Sequence, residues 1–337
     1  MTTSTTGWIR MDGTIRRPAG RLALAAMLAL PLAACDSLVQ VDPRDEVPPP
    51  ALENPAGAVA LYNGALHAMS VAFSGNNGGT EGIALIGGMM ADEWHHSGTF
   101  STRVTYDRRD ENADNGTVGG VLRNLHNARI AAVRAYDALT GTGLTAATDA
   151  RVAELKALEG LSYILGAETF CSGMPFPSVD GAAVSDGAPV TTQEAFTKAI
   201  VRIDEALAGA AGTGNVIRNL SSVLKARALM NQGKANYAAA GALLAAVPNT
   251  FRYQVYHSTN GNRNGIFVFN TQNERFSLSH REGGNGLPFR GGSATDRAQA
   301  DPRLPWIRTG PGIGNDVGFD NATPQYDVQK WITFDDE

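Results

Sequence analysis

Between Thr148 and Phe170 the apolar residues Val152, Leu155, Leu158, Leu161 and Leu165 recur at intervals of three or four. That period lines one face of a helix, whereas a half-buried strand alternates every second residue. Neighbouring segments carry the same signal. Asn54-Pro55 reads as an N-cap followed by proline at the first helical position, opening a helix through Leu61, Leu66 and Met69. Thr80 to Trp94 reads as a second helix, weakened by Gly87-Gly88, and Thr117 to Leu139 as a third, with Val121, Leu125, Ala128, Val133 and Tyr136. Gln193 to Ala210 carries Phe196, Ile200, Ile203 and Leu207. Asn219 to Asn231 and Tyr237 to Val247 form a last pair, with Gly233 in the turn and Pro248 as the stop. The expectation is a mainly α scaffold of helical hairpins over residues 51–250.

After Pro248 the pattern changes. Ile266-Phe267-Val268-Phe269 and Arg275-Phe276-Ser277-Leu278 predict a hairpin or two edge strands, and from Gly283 onward glycine and proline exclude long helices. Residues 251–337 are thus expected to form a loop-rich, minor-β layer. Of 337 residues, 43% are hydrophobic and 18% charged, with a net charge of -5, which suits a folded chain. With no basic block there is no electrostatic footprint for nucleic acid. Two cysteines, Cys35 and Cys171, exclude a disulfide-stapled mini-domain and a Cys₄ zinc site.

The amino terminus carries its own signal. Arg16, Arg17 and Arg21 precede an apolar run from Leu22 to Leu32, followed by Ala33-Ala34-Cys35. A basic region, a short apolar core and small residues describe a secretory signal over residues 1–34, with Met1 or Met11 as its start. The run falls short of the roughly 20 residues a membrane span needs. Leu-Ala-Ala-Cys resembles the lipobox of bacterial lipoproteins, in which the thiol of Cys35 is acylated; the alternative is an ordinary signal with an incidental cysteine. Residues 35–50, with Asp42-Pro43-Arg44-Asp45-Glu46 and Pro48-Pro49-Pro50, read as an extended tether.

The pair around Ala228 to Tyr237 resembles a tetratricopeptide unit, although Tyr237 lies farther from Gly233 than usual and no strict period repeats; generic helical hairpins are the alternative. Four features in order resemble the SusD/RagB family of nutrient-binding lipoproteins. They are the lipobox with its tether, the helix from Ala157 to Leu165 running into Glu168-Thr169-Phe170-Cys171-Ser172-Gly173-Met174-Pro175, the pair around Gly233, and Asp301-Pro302-Arg303-Leu304 with Lys330-Trp331 beyond it. The resemblance implies a tetratricopeptide-like scaffold on the cell outer membrane, capturing oligosaccharide or another nutrient as the lid of a TonB-dependent, SusC-like barrel. It also implies helices beyond Lys330-Trp331, so the chain is expected to be a truncated form or a fragment.

The densest candidate site runs from Asp92-Glu93-Trp94-His95-His96 through Phe100 to Tyr106. A sugar presents an apolar C–H face and a hydroxyl rim, so its site pairs a flat aromatic ring with carboxylates, amides or arginine. Trp94 or Tyr106 is the expected platform, with Asp92, Arg103 or Arg108 as hydrogen-bonding partners; a buried Trp94 beside a solvated loop is the alternative. Trp306, Trp331 and Tyr326 are further platforms, whereas Arg303 suits an ion pair or a turn cap better. Adjacent His95 and His96 rarely face one metal, and neighbouring Asp92 and Glu93 cannot flank a glycosidic bond across a cleft. Cys171 reads as a small core residue, since nothing nearby would lower its pKa. No nucleophile elbow, phosphate loop or dinucleotide fingerprint occurs. The expectation is therefore a binding protein without turnover, cofactor or metal. A lipid-anchored helical-repeat adaptor for a protein partner in outer-membrane assembly is the second reading, and an exo-acting glycosidase a weaker third.

Overall fold

A computed structural model describes residues 52, 54–76, 80–110, 113–170, 172–180, 183–210, 215–278, 306–308 and 326–328. Contacts divide the chain into residues 1–48 and 49–337. The signal segment, Cys35, the tether, Cys171, Arg303 and Trp331 lie outside the described residues.

In chain order the elements begin with α1 (Pro55–Ser74), α2 (Ile83–Met90), β1 (Trp94–His96), α3 (Ser101–Asp107), α4 (Gly116–Gly141) and α5 (Ala150–Thr169). Short strands β2 (Met174–Pro175), β3 (Ser178–Asp180), β4 (Ala183–Ser185) and β5 (Pro189–Val190) lead to α6 (Thr192–Gly209), α7 (Asn215–Asn231) and α8 (Tyr237–Leu244). A single turn α9 (Gly265–Phe267) continues into a π-helical turn, Val268–Gln272, and is followed by β6 (Phe276–Leu278), β7 (Trp306–Arg308) and β8 (Tyr326–Val328). The architecture is mainly helical with a minor β component.

Local chemistry explains the helix starts. Asn54 Oδ1 accepts from Gly57 N–H at 2.9 Å, with Pro55 directly behind it. Asn115 Oδ1 accepts from the N–H groups of Thr117 and Val118, and Asp149 Oδ1 from that of Arg151. Thr191 and Glu194 form a reciprocal capping box on α6. Such a cap contributes about 1 kcal/mol.

α5 is the central helix. Val152, Leu155, Leu158 and Leu165 join a core with residues of α1, α2 and α4, while Ala157, Ile164 and Ala167 join a second core with residues of α6 and α7. The apolar stripe is therefore one of two buried faces. Gly160 sits where α5 meets α6: a Cβ there would lie 2.6 Å from Ile203 Cγ1, so the missing side chain permits the close approach. α7 and α8 extend the stack by one more pair.

Of the expected hairpin or pair of edge strands between Ile266 and Leu278, the second segment forms a strand and the first does not. Asn264 Oδ1 accepts from the N–H groups of Ile266 and Phe267, starting a helical turn where the apolar run suggested a strand. β6 instead pairs antiparallel with β1, matching Trp94 to Leu278, His95 to Ser277 and His96 to Phe276. The expected second helix ends at Met90, and Trp94 belongs to this strand. Two small antiparallel ladders, β2 with β5 and β3 with β4, lie between α5 and α6. Residues 251–258 run without regular structure, half-buried at Phe251, Tyr253, Val255 and His257 and exposed between them.

Candidate functional site

The sequence places its strongest candidates around Trp94, and the structure puts most of them in the core. Trp94 is 6% exposed, with its indole packed against Gly88 of α2. Tyr106 and Trp306 are buried in the same cluster. A stacking platform needs an open ring face, so these three rings do not supply one. The cause is β1, whose pairing with β6 draws Trp94 inward. His96 is buried with its ring edge against Phe276, at 5.4 Å between centroids. His95 belongs to the opposite face of the strand. Asp92 is engaged by Arg109, whose Nη2 donates to its Oδ1 at 2.6 Å, and Arg108 is exposed. Tyr326 lies in β8, paired with Arg308 of β7.

Arg103 is buried as well, but it belongs to a cleft. Its guanidinium forms an ion pair with Glu81, and both side chains are about 4% exposed. The same group lies 4.7 Å from the ring centre of Phe100 and 5.1 Å from that of Phe269. Burial dominates the electrostatics here. It raises the Glu81 carboxyl above its ordinary range, against the pull of Arg103, and draws Arg103 below its own. Arginine nevertheless keeps its proton.

Above this pair opens a cleft of about 320 Å³, built where the starts of α3 and α4 meet. Thr102 Oγ1 and Thr117 Oγ1 share a hydrogen bond of 2.8 Å, and Asn115 Nδ2 donates to Thr102 O at 2.7 Å, locking the two helix starts together. Phe100 stands at the mouth, 54% exposed, with Arg103 over its ring and its carbonyl accepting from the N–H groups of Arg103 and Val104. Arg123 projects from the second turn of α4 and also lines the cleft. The cleft thus combines an open aromatic ring, two hydroxyls, a guanidinium and a buried ion pair as its floor. That set suits a small polyhydroxylated ring.

Phe100 lay inside the segment singled out from the sequence, yet its solvent exposure was not foreseen. Its clue is position: it directly precedes Ser101-Thr102 at a helix start, with Arg103 three residues on. Glu81 and Arg123 gave no comparable clue. Two larger grooves, of about 510 and 440 Å³, follow α7 and α8 and share Val223 and Leu244. Met230 and Tyr237 line the first, each about half exposed.

No family model matches the chain, and no curated protein does. Two solved structures are similar to it. A SusD superfamily protein from Bacteroides vulgatus shares 14% identity at a TM-score of 0.45, covering 60% of this chain and 45% of that one. A SusD/RagB family protein from Bacteroides thetaiotaomicron shares 18% identity at a TM-score of 0.51, covering 68% of this chain and 52% of that one. The chain spans about half the length of these structures. Over that span, its helical scaffold has the fold of a SusD/RagB family protein.

Proposed function

We propose that this protein is a lipid-anchored outer-membrane component that binds an oligosaccharide or similar nutrient and delivers it to a TonB-dependent, SusC-like barrel, without turnover. The observation that carries the reading is the cleft in which Phe100, stacked on Arg103, offers an open ring beside Thr102 and Thr117. The Leu-Ala-Ala-Cys35 sequence and the likeness to the SusD/RagB fold support the anchor and the setting. The test is calorimetry of the purified full chain against a panel of oligosaccharides, with Phe100→Ala beside it. Binding that Phe100→Ala removes while the protein still unfolds cooperatively supports the site. Equal binding by both proteins places the ligand elsewhere. Purification from the native outer membrane in mild detergent tests the barrel, which is expected in stoichiometric amount.

The groove along α7 and α8 favours the second reading, a helical-repeat adaptor, because Met230, Tyr237 and Leu244 leave apolar surface open there. Tyr237→Ala then weakens capture of a protein partner, whereas Phe100→Ala does not.

A further inference from the structure

We propose that the cleft selects an anionic saccharide, its ring on Phe100 and its acid group on Arg123. This rests on the reading of the cleft as a nutrient site and adds the class of ligand.

The inference follows from where charge is balanced and where it is not. Two guanidiniums line the cleft. Arg103 is neutralised by Glu81 beneath it, and that pair is sealed from solvent. Arg123 is exposed, and none of the ion pairs among the described residues includes it. The helix around it offers no counter-charge. From Gly116 onward α4 carries Arg123, His126, Arg129 and Arg134 before its one acidic residue, Asp137. Among the described residues the cleft therefore holds one positive charge without an ion-pair partner, in a chain whose net charge is -5.

The start of α4 is not itself the anchor. Its N–H groups at Thr117 and Val118 already bond Asn115 Oδ1, and that of Gly119 bonds Asn115 O. The guanidinium is the group left to meet an anion, and its planar fork suits a carboxylate or sulfate. Phe100 provides the apolar face beside it. Each threonine hydroxyl is both donor and acceptor, so their mutual bond leaves capacity for ring hydroxyls. The Glu81 carboxyl is offset by the Arg103 guanidinium in direct contact with it, so the pair leaves no net negative charge to repel an incoming acid. The volume lies at the low end of the usual range for ligand sites, matching one or two sugar units rather than a long chain.

The experiment compares trigalacturonate, galactotriose and a sulfated galactotriose by calorimetry on the full chain at low and at raised salt. The wild type is expected to bind at least one acidic trisaccharide ten times more tightly than the neutral one, a difference of about 1.4 kcal/mol. Arg123→Ala is expected to lower that acidic-to-neutral ratio about tenfold, and added salt to lower it in the wild type alone. Phe100→Ala is expected to weaken all three. A preference for only the carboxylate or only the sulfate identifies the acid group. Equal affinity for acidic and neutral sugars, or a ratio that Arg123→Ala leaves in place, overturns the inference while the nutrient-binding reading stands. Binding of none of the three by a folded wild type overturns the inference. Saccharide binding indifferent to Phe100→Ala overturns both this inference and the assignment of the cleft.

Discussion

Tyr253 donates its phenolic hydrogen to Glu154 Oε1 at 2.6 Å, across 99 residues of chain. Tyr62 donates to Oε2 of the same carboxylate, also at 2.6 Å. One side chain on α5 thereby holds both α1 and the irregular stretch that begins after α8. Burial and the carboxylate push both phenols well above the ordinary tyrosine range. A hydrogen bond to a charged group contributes about 1.5–3 kcal/mol. Tyr253→Phe is accordingly expected to lower stability by that amount in urea unfolding, and Tyr62→Phe by less, because it is less buried. The double variant is expected to be non-additive, since both phenols share one acceptor. The folded phenols keep their protons above pH 10, where the unfolded chain releases them, so stability falls as pH rises past about 10. Tyr253→Phe flattens that fall. Additive losses with an unaltered alkaline limb would show that the three groups do not act as a clamp.

Gly87 and Gly88 make opposite predictions. Gly-to-Ala in a helix interior ordinarily stabilises by roughly 1 kcal/mol. At Gly87 a new methyl would lie 3.7 Å from Thr169 Oγ1, ordinary contact, so Gly87→Ala is expected to raise the melting temperature. At Gly88 it would overlap Trp94 Cδ1, and displacing a core indole costs about 1–3 kcal/mol. Gly88→Ala is expected to lower the melting temperature and alter tryptophan fluorescence. Equal shifts in the two variants would refute this packing of Trp94.

These two glycines show what was legible in the sequence. Read locally, Gly87-Gly88 weakens a helix; in the fold, Gly88 clears space for an aromatic six residues on. The stripe on α5 and the Asn54-Pro55 start were readable because helix period and capping act within a few residues. The second buried face of α5 was not, because Ala157, Gly160 and Ala167 resemble filler until α6 packs against them. The pairing of β1 with β6 joins His96 to Phe276, and no local signal specifies such a distant partner. That one pairing also decides the site. An aromatic beside polar residues describes both a sugar platform and the rim of a core, and β1 sends Trp94 to the core while Phe100 remains at the surface. Ile266 to Phe269 misled for the opposite reason, since the cap from Asn264 outweighs their strand preference.

Arg103 was expected to touch ligand, and its burial with Glu81 makes a different prediction. Removing one partner of a buried ion pair strands the other and costs about 3–5 kcal/mol. Arg103→Ala is thus expected to destabilise the chain severely, losing its contacts with Phe100 and Phe269 as well. Glu81→Leu combined with Arg103→Met removes both charges while keeping volume, and is expected to recover most of that loss. A double variant no more stable than Arg103→Ala would show that the pair is not what the fold requires there.

His126 carries the acid-side prediction. It projects from α4 edge-on to Phe176, with 5.7 Å between ring centroids, and its Nδ1 is buried without a hydrogen bond among the described residues. Burial first, then the charge of Arg129, lowers its pKa to about 4. The unfolded chain takes up this proton near pH 6.5, and the folded chain takes it up only near pH 4. Between those values the unfolded state binds more protons, so stability falls as pH falls. The group is partly open to solvent, so screening reduces the effect to roughly 1–2 kcal/mol across the window. His257, lowered by burial, acts in the same direction, while raised carboxyls such as Glu159 act in the opposite one. The informative quantity is therefore the difference between wild type and His126→Gln, measured by urea unfolding from pH 7 to pH 4. That difference is expected to move in favour of the variant as pH falls, because glutamine has no proton to exclude. A constant difference across the range would mean that His126 titrates in the fold as it does in the unfolded chain, and that its place beside Phe176 is wetter than the packing implies.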